Sequence, residues 1–257
     1  MKHRRLPIMG LLAFVLLVGC TSKSKDTMSK VAVEEQVEQN ANEGWKMLFN
    51  GHNFEGWKSI SSDQTPKYGW KIENKELIVE ESNGGESLHG GDIITQKKYS
   101  DFELKWEWKM NTVGGNSGLK YYVNSSGKNN AKHGIGLEYQ ILDDPNHPWM
   151  LEGKMEPNDY HTTGACYELY APSTKKNVSP LGEWNSSRIV SINGQIEHWL
   201  NGEKIVEFDR FSSDFNTRVS ESKFNNLDRF GQQESGHILL QDHGGNVHFR
   251  NIEVKEL

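Results

Sequence analysis

Polar and apolar positions alternate along much of this chain with a period of two. Residues two apart share one face of a β-strand, so such segments read as half-buried strands. The pattern predicts strands over residues 69–72, 76–80, 93–95, 101–110, 118–123, 137–142, 165–170, 184–192, 195–200, 203–208, 236–241 and 247–255. Turn signals separate most of them, among them Glu73-Asn74, Asn193-Gly194, Asn201-Gly202 and Gly244-Gly245-Asn246. Many short strands with few helical stretches mean a sandwich or a barrel. Two segments break the pattern. Residues 143–163 are rich in Pro, Asp, Asn and His; residues 209–234 are long, polar and dotted with Phe, and part of that stretch suits a helix. Long irregular connections in a compact domain are usually functional, so both are expected to border a ligand site.

The strand at 137–142 carries the clearest chemical signal. Leu137, Tyr139 and Ile141 point one way and suit a core, while Glu138 and Gln140 point the other. Asp143, Asp144 and Pro145 then end the strand in a turn. A carboxylate beside a side-chain amide at a strand end suits a sugar-binding cleft; it also fits a solvated sheet face.

Composition narrows the class. The chain has 257 residues, 25% of them charged and 10% aromatic, as in ordinary globular proteins. The 214 residues from Gly44 onward suffice for one large all-β domain, and no second domain boundary or internal repeat is visible. Eight Trp and 25 Gly suit a sandwich with many turns, with indoles left to stack on sugar faces. At the N-terminus, Lys2, Arg4 and Arg5 precede an apolar run over 6–18, shorter than the roughly 20 residues needed to span a bilayer. The run ends in Leu17-Val18-Gly19-Cys20, which looks like a bacterial lipobox. The expectation is a lipoprotein signal peptide over 1–19, a lipid on Cys20, and a polar tether over 20–43. That places the domain in the cell envelope, lipid-anchored to the membrane on a periplasmic or outer-membrane face. Cys166 is then left unpaired, as a buried thiol rather than a nucleophile. Losing 1–19 removes three positive charges and takes the formal charge from −6 to −9, which argues against nucleic acid as a partner.

A series of motifs points to a family. It runs Gly-Trp-Lys-Met-Leu-Phe-Asn-Gly at 44–51, Phe-Glu-Gly-Trp at 54–57, Asp-Phe-Glu-Leu-Lys-Trp-Glu-Trp at 101–108 and Gly-Asn-Ser-Gly at 115–118. Thr-Gly-Ala at 163–165, Gly-Glu-Trp-Asn at 182–185 and His-Trp-Leu-Asn-Gly at 198–202 follow. Leu-Gln-Asp-His-Gly at 240–244 and Phe-Arg-Asn-Ile at 249–252 close it. In this order and spacing the chain resembles the 3-keto-disaccharide hydrolase domain family, formerly domain of unknown function 1080, from about Gly44 to the end. The resemblance implies a concanavalin A-like jelly-roll β-sandwich of two antiparallel sheets. It also implies cleavage of glycosides oxidised at C3, with a glycoside or oligosaccharide as substrate and a sugar oxidoreductase upstream. Jelly rolls also serve as non-catalytic, lectin-like binding modules, so that alternative stands beside the enzyme.

Ordinary double displacement needs two carboxylates. Gln140 cannot ionise, and Asp143, five residues from Glu138, falls on the opposite face of a continued strand. A 3-keto sugar needs less: the ketone acidifies the C2 hydrogen, so one base and one electrophile suffice. Glu138 is the candidate base, and Gln140 would orient a hydroxyl or polarise the ketone. A divalent metal ion is a candidate electrophile, with Glu138, Asp143 and His161 as its ligands. If Gln241 faces the cleft, so does His243, an acid–base candidate that equally suits a turn histidine bonded to backbone. Asn116 and Tyr122 are candidate sugar contacts. Many relatives carry an arginine after the Asn-Ser-Gly motif, where this chain has Lys120, Tyr121 and Tyr122. Arg250 suits either substrate contact or a structural hydrogen bond, and His198 a satisfied, half-buried position. Trp57, Trp106, Trp108 and the Trp184-Asn185 pair read as core anchors.

Overall fold

The computed structural model describes residues 44–82, 90–124 and 134–257. The chain divides into residues 1–43 and 44–257. The expected signal peptide, Cys20 and tether therefore lie outside the described residues.

Residues 44–257 form a sandwich of two antiparallel sheets, a jelly-roll arrangement as the family resemblance implies. The larger sheet has eight strands. Its order is β11 (Glu203–Asp209), β10 (Gln195–Leu200), β9 (Asn185–Ile192), β6 (Phe102–Met110), β13 (Val247–Glu256), β4 (Glu76–Val79) and β3 (Trp70–Glu73), with β1 (Trp45–Met47) also on β13. The smaller sheet runs β2 (Trp57–Ser59), β5 (Ile93–Thr95), β12 (His237–Leu240), β7 (Asn116–Asn124) and β8 (Ile135–Leu142). Between them lies one continuous core that includes Trp57, Phe102, Trp106, Trp108, Tyr121, Tyr139 and Phe249. Strand β6 alternates buried and half-buried at every residue, so the period-2 reading is exact there.

Three departures from the pattern have physical causes. Strands β1 and β2, three residues each, are not singled out by the sequence pattern. Residues 165–170 are no strand: Cys166 bridges singly to Tyr139 and Tyr170, and Glu168 turns at φ +70°. In β7 the register shifts between Tyr121 and Asn124, and Tyr122 takes φ +54°. This bulge sends both Tyr121 and Tyr122 into the core. The segment 209–234 does contain a helix, α2 (Ser213–Glu221), whose N-cap Ser212 accepts from the Phe215 N–H.

Candidate active site

The outer face of the smaller sheet carries the chemistry. The β7–β8 ladder pairs Asn116 with Leu142, Gly118 with Gln140, and Lys120 with Glu138. The intervening Leu119, Tyr121, Leu137, Tyr139 and Ile141 all pack into the core. Across β7, Lys120 faces Leu239 of β12, and Leu239 faces Ile94 of β5. Continuing these ladders outward places Gln241 and Asp92 on the same face, one step along.

Glu138 lies across Gly118. A Cβ at position 118 would meet Glu138 Oε1 at 2.5 Å, so only glycine leaves the carboxylate this seat. On its other side Glu138 Oε2 is 3.6 Å from Lys120 Nζ, and the two side chains are each 11% exposed. Lys120 also donates to the Gly134 carbonyl at 3.3 Å. Asp92 adds a third ionisable group nearby. It is fully buried, its Oδ1 accepts from the Asp242 N–H at 3.0 Å, and its Oδ2 has no hydrogen-bond partner. Burial pushes its carboxyl up to about 7, with the Lys120 ammonium pulling the other way and Glu138 adding to the rise. Sequence reading missed Asp92 and Lys120 as site residues. The available signal was an Asp set between Gly90-Gly91 and the apolar Ile93-Ile94, where a carboxylate is out of place.

Next to Glu138 along β8, Gln140 forms the floor of a cavity of about 260 Å³. Asn116, His147, Trp149, His161, Tyr167 and His243 also line it. Gln140 is buried, donates to Asn116 Oδ1 at 3.4 Å, and keeps Oε1 without a partner; Gln241 Oε1 is likewise buried and unpartnered. Buried acceptors without donors are uncommon, and they suit a ligand that brings hydroxyl groups. Glu138 is not part of the cavity wall; it stands one ladder step beyond Gln140.

The far wall comes from residues 144–167, held down by several short bonds. Asp143 accepts from the Gly114 N–H at 2.8 Å and from Asn146 at 2.9 Å. Asp144 accepts from the Thr163 N–H at 2.9 Å and from Lys176 at 2.8 Å. His147 caps the short helix α1 (Pro148–Leu151) by accepting from the Trp149 N–H, and burial lowers its pKa. His161 packs edge-on to Trp149 and Tyr167, so the wall is aromatic.

Several expected assignments meet this geometry directly. Gln140, Asn116 and His243 do converge on one cavity, and residues 143–163 do border it. Glu138, Asp143 and His161 do not form a metal-ligand set. The Asp143 carboxylate is taken up by the Gly114 N–H and the Asn146 amide, and both His161 nitrogens face carboxylates, Asp159 at 2.7 Å and Glu168 at 3.3 Å. Among the described residues no three His, Cys, Asp or Glu side chains are grouped to hold an ion. Tyr122 is no sugar contact: its hydroxyl, buried in the core, donates to the Ser100 carbonyl at 2.6 Å and lies 2.6 Å from Ser191. Arg250 belongs to the other sheet, paired with Glu107 at 2.6 Å and stacked on Trp184 at 3.8 Å. Trp184 is thus half-exposed beneath cations, while Asn185 is buried and anchors the Ser179 N–H. His198 is fully buried, bonded to Tyr121 and the Gly164 carbonyl. Burial raises the Cys166 thiol far above its ordinary value, as an inert core group.

Comparison with known proteins agrees with the fold and the motif order. Residues 44–255 match the 3-keto-alpha-glucoside-1,2-lyase-like domain family. A 3-keto-disaccharide hydrolase of Bacteroides thetaiotaomicron is 32% identical, with the whole of both chains covered. The crystal structure of a candidate glycosyl hydrolase from Parabacteroides distasonis superposes with TM-score 0.74 at 38% identity, over 86% of this chain and 97% of that one. A second candidate glycosyl hydrolase from the same organism gives TM-score 0.60 at 27% identity, over 83% and 99%. The chain belongs to the 3-keto-alpha-glucoside-1,2-lyase-like domain family and is a glycoside hydrolase-like enzyme.

Proposed function

We propose that the enzyme cleaves the glycosidic bond of 3-keto-glycosides by elimination followed by hydration. The observation that carries this reading is the seat of Glu138. Its carboxylate lies over Gly118, beside a cation and one step from a cavity floored by an unpartnered amide oxygen. A base held in this way suits removal of a single acidified C–H. In the proposed sequence Glu138 takes the C2 proton, and the C–H electron pair forms an enolate with the C3 oxygen. The enolate collapses, C3=O re-forms, a C1=C2 double bond appears, and the C1–O bond to the aglycone breaks. The leaving oxygen takes a proton from His243 or water. Water then adds to C1 and a proton returns to C2, so the net change is hydrolysis. Gln140 and Asn116 hold sugar hydroxyls in the cavity, and Trp149 and Tyr167 offer ring faces to the sugar or its aglycone.

The substrate implies an oxidoreductase that first oxidises the C3 hydroxyl. The basic, apolar and lipobox-like run ending at Cys20 supports a lipid-anchored enzyme of the cell envelope. The test is an NMR assay of a 3-keto glucoside and its unoxidised parent in deuterated buffer. Cleavage of the keto sugar alone, with deuterium at C2, and loss of both in Glu138→Gln, is the expected result. Binding without cleavage of either sugar would favour a lectin-like module; cleavage of the parent alone would refute the mechanism.

A further inference from the structure

The elimination needs a second group, one that carries the charge gathering on the C3 oxygen as the C2 proton leaves. The C2 hydrogen and the C3 oxygen sit on neighbouring carbons, so base and oxygen donor must themselves be neighbours. Lys120 meets this demand. Its Nζ lies 3.6 Å from Glu138 Oε2, both project from the same face of the β7–β8 ladder, and each keeps an accessible edge. An ammonium has three N–H donors, one of which goes to the Gly134 carbonyl. Water is largely excluded around it, which strengthens any charge it meets.

We propose that Lys120 is the residue that holds the enolate oxygen. The inference rests on the 3-keto reading of the substrate. When the Glu138 oxygen takes the C2 proton, the carbonyl electron pair moves onto the C3 oxygen, which the Lys120 ammonium hydrogen-bonds without giving up its proton. On collapse the charge passes to the departing aglycone oxygen and Lys120 is unchanged. A lysine is a compact point donor suited to one oxygen, whereas arginine would offer a planar fork.

The test compares wild type, Lys120→Met, Lys120→Gln and Lys120→Arg on a 3-keto glucoside, with affinity for the unoxidised parent followed by chemical-shift titration. Loss of one oxyanion donor typically lowers kcat by about 100-fold or more. Lys120→Met and Lys120→Gln are expected to show that loss with parent affinity within about threefold of wild type. Lys120→Arg should recover part of it. With C2-deuterated substrate, the kinetic isotope effect should rise in Lys120→Gln, because proton transfer alone has been slowed; a packing defect would leave it unchanged. If wild type cleaves only the keto sugar and Lys120→Gln keeps its rate or its isotope effect, the Lys120 role is overturned while the substrate reading stands. If wild type leaves the keto sugar intact, both fall. Should Lys120→Met not fold, Gln against Arg decides: equal activity in the two overturns the role.

Discussion

Gly118→Ala separates the chemistry from the fold. The added methyl would stand 2.5 Å from Glu138 Oε1 and 3.2 Å from its Cδ and Cγ. Ordinary contact between heavy atoms begins at about 3.5 Å, so the carboxylate has to retreat by about 1 Å. The retreating group is the end of a flexible side chain, so the backbone need not move. Alanine also loses less chain entropy on folding, worth about 0.5–1 kcal/mol in its favour. Unfolding midpoints in urea should therefore stay level or rise. Catalysis should not follow, since a displacement of about 1 Å at the reacting group lowers rates by about 100-fold. The assay is kcat and KM for the 3-keto glucoside, beside a urea melt. A variant that is stable and has wild-type kcat would show that Glu138 does not act from its seat over Gly118.

Two further predictions test the corrected assignments. Tyr122→Phe removes the bond to the Ser100 carbonyl and the contact with Ser191, so urea melts should show a loss of roughly 1–3 kcal/mol with KM unchanged; a raised KM would return Tyr122 to the site. Burial lowers His198 to about 4 from 6.5, so the unfolded chain binds a proton that the folded one refuses between those values. Stability is full above about pH 6.5 and falls with acidification by up to about 1.4 kcal/mol per pH unit. His147 and His237 shift in the same direction, so the measurement is the difference between wild type and His198→Gln, in which the His198 share of the slope should vanish.

Legibility followed backbone regularity. Where β6 and β8 run without interruption, the period of two placed every core residue correctly, and Glu138 and Gln140 fell on the outer face as alternation required. Tyr122 was nominated from its place after the Asn-Ser-Gly motif, but a bulge turns it into the core, and nothing in Tyr121-Tyr122-Val123 announces a positive φ. Arg250 was left between a substrate contact and a structural bond for another reason, and the structure shows the second. A motif fixes its position on a strand, but which sheet that strand joins is a long-range fact, set here by β13 pairing with β6 and β4. The Lys120–Glu138 pair and nearby Asp92 were invisible as a group because they lie on β7, on β8 and just before β5, brought to one sheet only by the order β5-β12-β7-β8. A lone Asp or Lys carries no spacing signal of its own.

That group also sits at odds with stability, which gives a way to ask whether it acts as one unit. Lys120 and Glu138 are about nine-tenths buried beside Leu239 and Ile94, a place where apolar side chains would pack readily. Removing one partner of such a pair strands the other charge and typically costs about 3–5 kcal/mol, discounted here by the exposed edges. Replacing both with apolar residues of similar size is often neutral or stabilising. Glu138→Leu alone should therefore destabilise, and Lys120→Met with Glu138→Leu should recover most of the loss. Asp92 does not spoil the repair, because burial already holds its carboxyl near 7 and it stays neutral at pH 6. The double variant should be inactive yet close to wild type in its urea midpoint at that pH. Simple addition of the two single losses would mean that the charges are held independently, and that the sheet face was not built around the pair.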